Sequence, residues 1–268
     1  MINQQPYPGG TPLLRSLAIQ GRVIGALLMR EILTRFGRHN IGFLWLFVEP
    51  MMFTLGITVM WNFVKVGHDG NLPITAFAIT GYGSVLIWRN TVMRCIDAIG
   101  PNLSLMYHRN VRVFDLFAAR IMLELAGAIM SFVILSLLFI FIGLMKPPAD
   151  ILEVFFGLIM LSWFGAALAL FIGGLATKSE LVDKIWHPVS YLMFPFSGAM
   201  FMVNWLSPPF QKVVLWFPMV NGTEILREGY FGNIVQAHYS VAYMAFVNLI
   251  FTFLGLALIR EAGRHIEP

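Results

Sequence analysis

The chain has 268 residues, 58% hydrophobic and only 12% charged, where an ordinary soluble domain runs about 45–50% and about 25%. So few polar side chains cannot cover a soluble fold of this size, and the single cysteine, Cys95, excludes an intrachain disulfide framework and a cysteine-based metal knot. A net charge of +4, from 18 basic and 14 acidic groups, is too small an excess to argue for nucleic acid, which leaves an all-α integral membrane protein.

Residues 1–12 read as a flexible tail, marked by Pro6, Pro8, Gly9, Gly10 and Pro12. They hold no basic residue, and no small-residue cleavage site follows, so a signal peptide is not expected. Residues 13–39 read as an amphipathic helix in the membrane interface. Leu17, Ile24, Leu28, Ile32 and Phe36 share one broad face, with Arg15, Arg22 and Arg30 roughly opposite, toward lipid phosphates or a cytosolic partner. Residues 40–268 read as one transmembrane domain. Six apolar stretches there, 43–63, 73–96, 117–143, 151–175, 186–203 and 239–259, are each about the 20 residues a bilayer span needs. The short alternating segments of a β-barrel are missing.

Basic residues divide unevenly among the connections. Fourteen fall before the first stretch, around the second connection, between the fourth and fifth stretches, and after the last; Lys65, Lys146, Lys212 and Arg227 fall on the other side. By the positive-inside rule both termini are cytosolic. The cytosolic connection at 98–116 carries Asn102, Leu105, Tyr107, His108, Arg109 and Arg112. The external connection at 204–238 is too apolar for a free loop and too interrupted for a span. Pro208–Pro209 as a start and Asn221–Thr223 as cap signals predict two short re-entrant helices, which survive at membrane depth only against protein or a cavity.

Three ionisable side chains lie inside predicted spans: Glu49, Arg89 and Glu124. Each falls about 9–12 Å above the cytosolic boundary, and the shared depth predicts a layer in which Arg89 pairs with Glu49 or Glu124. Gly165, Ala169 and Gly173, at intervals of four, predict a close helix contact within the subunit. Interfacial belts account for most of the tryptophans. Trp88, Tyr191, Phe194, Phe196, Trp205 and Trp216 are the candidates for a ring-lined path or gate, since aromatic faces stack on sugars.

Other chemistry is missing. Ile172–Ser179 ends like a phosphate-binding loop but lacks both required glycines and closes a span instead of opening a helix. The six histidines are scattered without metal-ligand spacing, and no Gly-x-Ser-x-Gly elbow occurs. Energy for work has to come from another chain or an ion gradient.

The segment Arg30-Glu31-Ile32-Leu33-Thr34-Arg35-Phe36, the opening Ile41-Gly42-Phe43-Leu44-Trp45 leading to Glu49-Pro50, and the run Asn102–Val111 followed by Asp115 and Glu124 resemble the membrane subunits of ABC-2 type polysaccharide exporters, closest to the capsular-polysaccharide permeases of Gram-negative bacteria. The resemblance spans nearly the whole chain. It implies an ABC-2 type fold of six transmembrane helices, an interface helix bearing Arg22, Arg30, Glu31 and Arg35, and a hairpin gating the periplasmic side. It implies a homodimer, driven by two copies of a separate ATPase that carries the ATP and magnesium, with no cofactor in this chain. The coupling contact to that ATPase would lie near Asn102–Asn110, and the cargo would be a lipid-linked polysaccharide leaving through the inner membrane toward periplasmic and outer-membrane proteins. An O-antigen, teichoic acid or drug exporter is the nearest alternative. An ion-coupled transporter is disfavoured by the lack of inverted repeats and mid-membrane acids.

Overall fold

The structure, a computed structural model, describes residues 12–36, 40–64, 72–108 and 111–266. Their order is α1 (Pro12–Phe36), α2 (Asn40–Val64), α3 (Ile74–Ile96), α4 (Leu103–His108), α5 (Val113–Phe141), α6 (Ile151–Ala176), α7 (Glu180–Met193), α8 (Pro208–Val214), α9 (Pro218–Phe231) and α10 (Val241–Ile266). Among the described residues there is no strand. Among the described residues three helices, α5, α6 and α10, are long and apolar enough to cross a membrane. At 29 residues α5 is about 43 Å long, more than the about 30 Å of a hydrocarbon core.

Helix ends follow local chemistry. Gly143 takes φ +82° just after α5, and the amides of Leu144 and Met145 fold back on the Phe139 carbonyl. Asp150 caps α6 by accepting from the amides of Leu152 and Glu153 at 2.8 and 3.1 Å. The Ile172–Ser179 stretch closes α6 at Ala176.

At the centre of the bundle, α6 packs against α3, α9 and α10. Its small residues permit this. A Cβ on Gly165 would lie 3.0 Å from the Ile87 carbonyl oxygen and 3.1 Å from Trp88 Cα, and one on Gly173 would lie 3.1 Å from the Cys95 carbonyl oxygen. Ala169 between them is fully buried. The small-residue stripe is therefore the seam between α6 and α3 within one subunit.

The apolar stretch at 186–203 is not one continuous helix. The helix α7 stops at Met193, because Pro195 has no N–H to continue the ladder and Gly198 turns the chain at φ +79°. The cap signals Asn221–Thr223 also differ from expectation. Pro218 opens α9, and Asn221–Thr223 lie inside that helix. Proline suits a first helical position, where its missing N–H has no partner to lose.

Candidate functional site

Two regions at opposite ends of α3 hold the charged side chains. At one end, beside α4, α1 lies along α5. The interface-face residues divide: Ile24, Leu28 and Ile32 are half-buried, beside the buried Leu27, while Leu17 is exposed. The polar residues of α1 also turn inward. Gln20 donates to Asp115 Oδ1 at 3.0 Å, Arg30 to Asn102 Oδ1, and Arg35 to Glu124 Oε1. Glu31 Oε1 lies 3.1 Å from Arg120 Nε, an ion pair by distance. The Arg120 Nη1 also donates to the carbonyls of Arg94 and Asp97 at 2.7 and 2.5 Å, capping the end of α3. One guanidinium thus joins α1, α5 and α3. Arg15 and Arg22 remain exposed, with Arg22 Nε 3.4 Å from the Ala18 carbonyl.

Glu49 and Glu124 do come together in a charge layer, but Arg89 is not their partner. Arg35 reaches both carboxylates, lying 3.8 Å from Glu49, and Arg94 reaches both at 3.7 and 3.8 Å. Two cations and two anions close this group to neutrality. Arg89 instead lies over the Tyr191 ring, 4.2 Å from its centroid, and its Nε is buried with no acceptor among the described residues. It borders a cavity of about 480 Å³ with Glu49, Tyr82, Asn90, His187 and Tyr191.

The connection from α3 to α5 forms a 3₁₀ turn at Gly100–Asn102 and then α4. Asn102 is buried: its Nδ2 donates to the Ala98 carbonyl at 2.9 Å while its Oδ1 takes Arg30. It ties α1 to this segment and offers little to a partner. Met106 is buried and Leu105 half-buried, which leaves Leu103 and Ser104 as the outward face of α4. Arg109 and Asn110, and the side chains of Tyr107 and His108, lie outside the described residues, as do the 1–11 tail and residues 37–39. Arg112 precedes α5, its amide donating to Asp115 Oδ2 at 3.1 Å, and its exposed side chain lines a separate cavity with Arg260 and Arg264.

At the other end, α9 is buried along nearly its whole length. Arg227, which sequence places in an exposed connection, is fully buried. It donates to the carbonyls of Gly198, Phe201 and Ala199 at 2.6, 2.6 and 2.9 Å and lies 3.9 Å from the centroid of Phe77. These are carbonyls freed by the break after α7, so one side chain satisfies the broken helix. Glu224, one turn earlier, accepts from the amides of Val203 and His238 at 3.2 and 3.1 Å. Asn221 accepts from the Ser240 amide at 2.8 Å and donates to the Leu215 carbonyl at 3.0 Å. Three polar side chains of α9 thus fix the chain on both sides of it. Beyond α9, the Tyr239 hydroxyl lies 3.5 Å from Glu153.

The aromatic candidates do not form one cluster. Trp88 is 1% exposed, edge-on to Phe164 at 6.4 Å in the α3–α6 seam, so it is core and cannot line a path. Phe194 is half-buried, edge-on to Tyr82. Tyr191, Phe196, Trp205 and Trp216 keep exposed faces. Phe196 stacks on Phe217, Trp205 lies against Phe77, and Trp216 meets Tyr243 edge-on.

The family model described as "ABC-2 type transporter" matches residues 22–231, from inside α1 to the end of α9. The chain belongs to the ABC-2 type transporter family. The capsule polysaccharide export inner-membrane protein CtrC of Neisseria meningitidis serogroup B is 45% identical over 96% of this chain and 97% of its own length. The capsule polysaccharide export inner-membrane protein BexB of Haemophilus influenzae is 42% identical over 98% and 99%. The polysialic acid transport protein KpsM of Escherichia coli is 26% identical over 90% and 94%.

Within this ABC-2 type transporter, several key residues escape a reading of sequence. Arg94 and Arg120 count there only toward orientation, and Glu224 carries no signal beyond lying in the external connection. Arg227 could have been found: a lone arginine three residues after Glu224, in a segment too apolar for a free loop, needs partners if that segment is buried.

Proposed function

We propose that this chain is the transmembrane subunit of an ATP-driven exporter that carries lipid-linked capsular polysaccharide out through the inner membrane. The observation that carries this reading is end-to-end similarity, at 45% and 42% identity, to two capsule polysaccharide export inner-membrane proteins. The six spans are α2, α3, α5, α6, the broken unit begun by α7, and α10. Both termini and α4 face the cytosol, where most basic residues collect. Two copies form the path, and two copies of a separate ATPase hold the ATP and magnesium.

The geometry supplies a means of coupling. An ATPase can shift a membrane helix only through a contact whose strength differs between its states. The outward face of α4 at Leu103 and Ser104 is the docking element, and α1 is the second. Arg30–Asn102 ties α1 to the α4 segment, and force on either reaches α5 through Glu31–Arg120 and Arg35–Glu124 and reaches α3 through the carbonyls that Arg120 holds. At the periplasmic end, α8 and α9 form the gate, and the exposed rings of Tyr191, Phe196, Trp205 and Trp216 offer weak stacking surfaces along which a sugar chain slides. Periplasmic and outer-membrane proteins receive the polymer.

The test is co-expression with a Walker-motif ATPase from the same genome. The two should co-purify, and surface capsule should vanish when either is deleted or the ATPase loses its catalytic glutamate. Export that persists without the ATPase and follows only the proton gradient would sink the proposal.

A further inference from the structure

A second cavity, of about 680 Å³, opens between the start of α5 and the end of α10. Its walls are Val113, Phe114, Leu256 and Ile259, and its rim carries Arg112, Arg260 and Arg264. No acidic side chain among the described residues lines it. Among the described residues none of the three arginines pairs with a carboxylate, although Arg35, Arg94 and Arg120 nearby all do. The volume falls inside the about 300–1,000 Å³ range of small-molecule sites.

We propose that this cavity binds one anionic phospholipid of the surrounding bilayer by its phosphodiester headgroup. Two observations select that occupant. The first is charge: three guanidiniums without a counter-ion among the described residues match a phosphodiester, and basic pockets between membrane helices on the cytosolic side hold anionic headgroups. A zwitterionic lipid would bring its ammonium against the same three cations. The second is continuity with an apolar face. Along α10, Phe246, Leu249, Phe253 and Leu256 are exposed at spacings of three and four, and Arg260 and Arg264 continue the same stripe. Phe246 to Leu256 covers about 15 Å, half of a 30 Å hydrocarbon core, which is the depth one acyl chain occupies in its leaflet. Headgroup and tail thus find matching surfaces on one helix. The bound lipid bridges α5 to α10 at the end where α1 and α4 also attach, so bilayer composition would set how firmly the two are joined. The site rests on the orientation proposed above, not on the cargo.

The test uses the full-length chain, purified with its ATPase, delipidated and titrated in detergent under native mass spectrometry. The probes are dioleoyl phosphatidylglycerol and dioleoyl phosphatidylethanolamine. Wild type should hold one phosphatidylglycerol per chain at least tenfold more tightly than phosphatidylethanolamine. Each arginine is worth about fivefold, so Arg260→Gln with Arg264→Gln should weaken binding about thirtyfold. Lys184→Gln, an exposed cation on α7, should change nothing. If the double variant fails to fold, Arg264→Gln alone, exposed near the end of α10, supplies the fivefold arm. Equal affinity for the two lipids, or undiminished binding by the variants, overturns the proposal. So does a double variant that keeps its lipid and loses the ATPase, since the cavity is then a protein contact. Selective lipid binding by a wild-type chain whose deletion leaves surface capsule unchanged would count against the export reading and leave this one standing.

Discussion

Replacing Arg227 is the sharpest test of how the broken span is held. Arg227→Ala removes three charge-assisted hydrogen bonds, each 2.6–2.9 Å long, and strands the buried carbonyls of Gly198 and Ala199 and that of the half-buried Phe201. It also leaves Glu224, 1% exposed, without its neighbouring cation. Removing one partner from a buried charge network costs about 3–5 kcal/mol. At about 2–3 °C per kcal/mol for a chain of this size, Tm in detergent should fall by about 10 °C. Arg227→Lys should recover only part of this, because an ammonium lacks the planar fork that meets carbonyls on both sides of residue 200. A cysteine placed at Ala199, 5% exposed in the wild type, should become reactive to a water-soluble maleimide in the Arg227→Ala background. A variant melting within 2 °C of wild type, with Ala199→Cys still protected, would refute the reasoning.

Three further outcomes are expected. Glu124→Arg and Arg35→Glu should each cost about 2–4 kcal/mol, discounted because Arg35 retains some solvent, and the double swap should restore folded yield and export beyond either single change; no rescue would mean that the pair is incidental. Gly165→Val should push α6 from α3 and sharply lower the yield of monodisperse protein, while Gly56→Ala, with open space around it, should be neutral by the same size-exclusion assay. Trp88→Ala should cost about 3–5 kcal/mol in a denaturation series, whereas Trp216→Ala, at 74% exposed, should leave stability unchanged and lower surface capsule measured by immunoblot.

Depth is legible in a sequence and direction is much less so. Counting residues from a span boundary placed Glu49 and Glu124 in one layer, and the structure joins them through shared arginines. The same count favoured Arg89, yet Arg94 makes the contact. The two are five positions apart, about 140° around the helix, so the choice depends on which face α3 turns to α5. Hydropathy reads 186–203 as one span because it weighs composition, and one proline ends the helix without altering that composition. Charge counting places Arg227 outside for a similar reason: it treats every connection as solvated. The small-residue seam of α6 was legible because three positions at intervals of four specify a face as well as a depth.

The bonds that hold α1 carry a consequence for biogenesis. Its polar partners lie far along the chain: Asn102 is 72 residues from Arg30, Glu124 is 89 from Arg35, and Asp115 is 95 from Gln20. At about 5–20 residues per second, a ribosome delivers them about 5–20 s after α1 emerges. In that interval α1 has only lipid headgroups for its arginines, and it docks once the translocon releases α5. A fragment comprising residues 1–39, supplied in trans, should therefore find its seat on a chain that begins at residue 40.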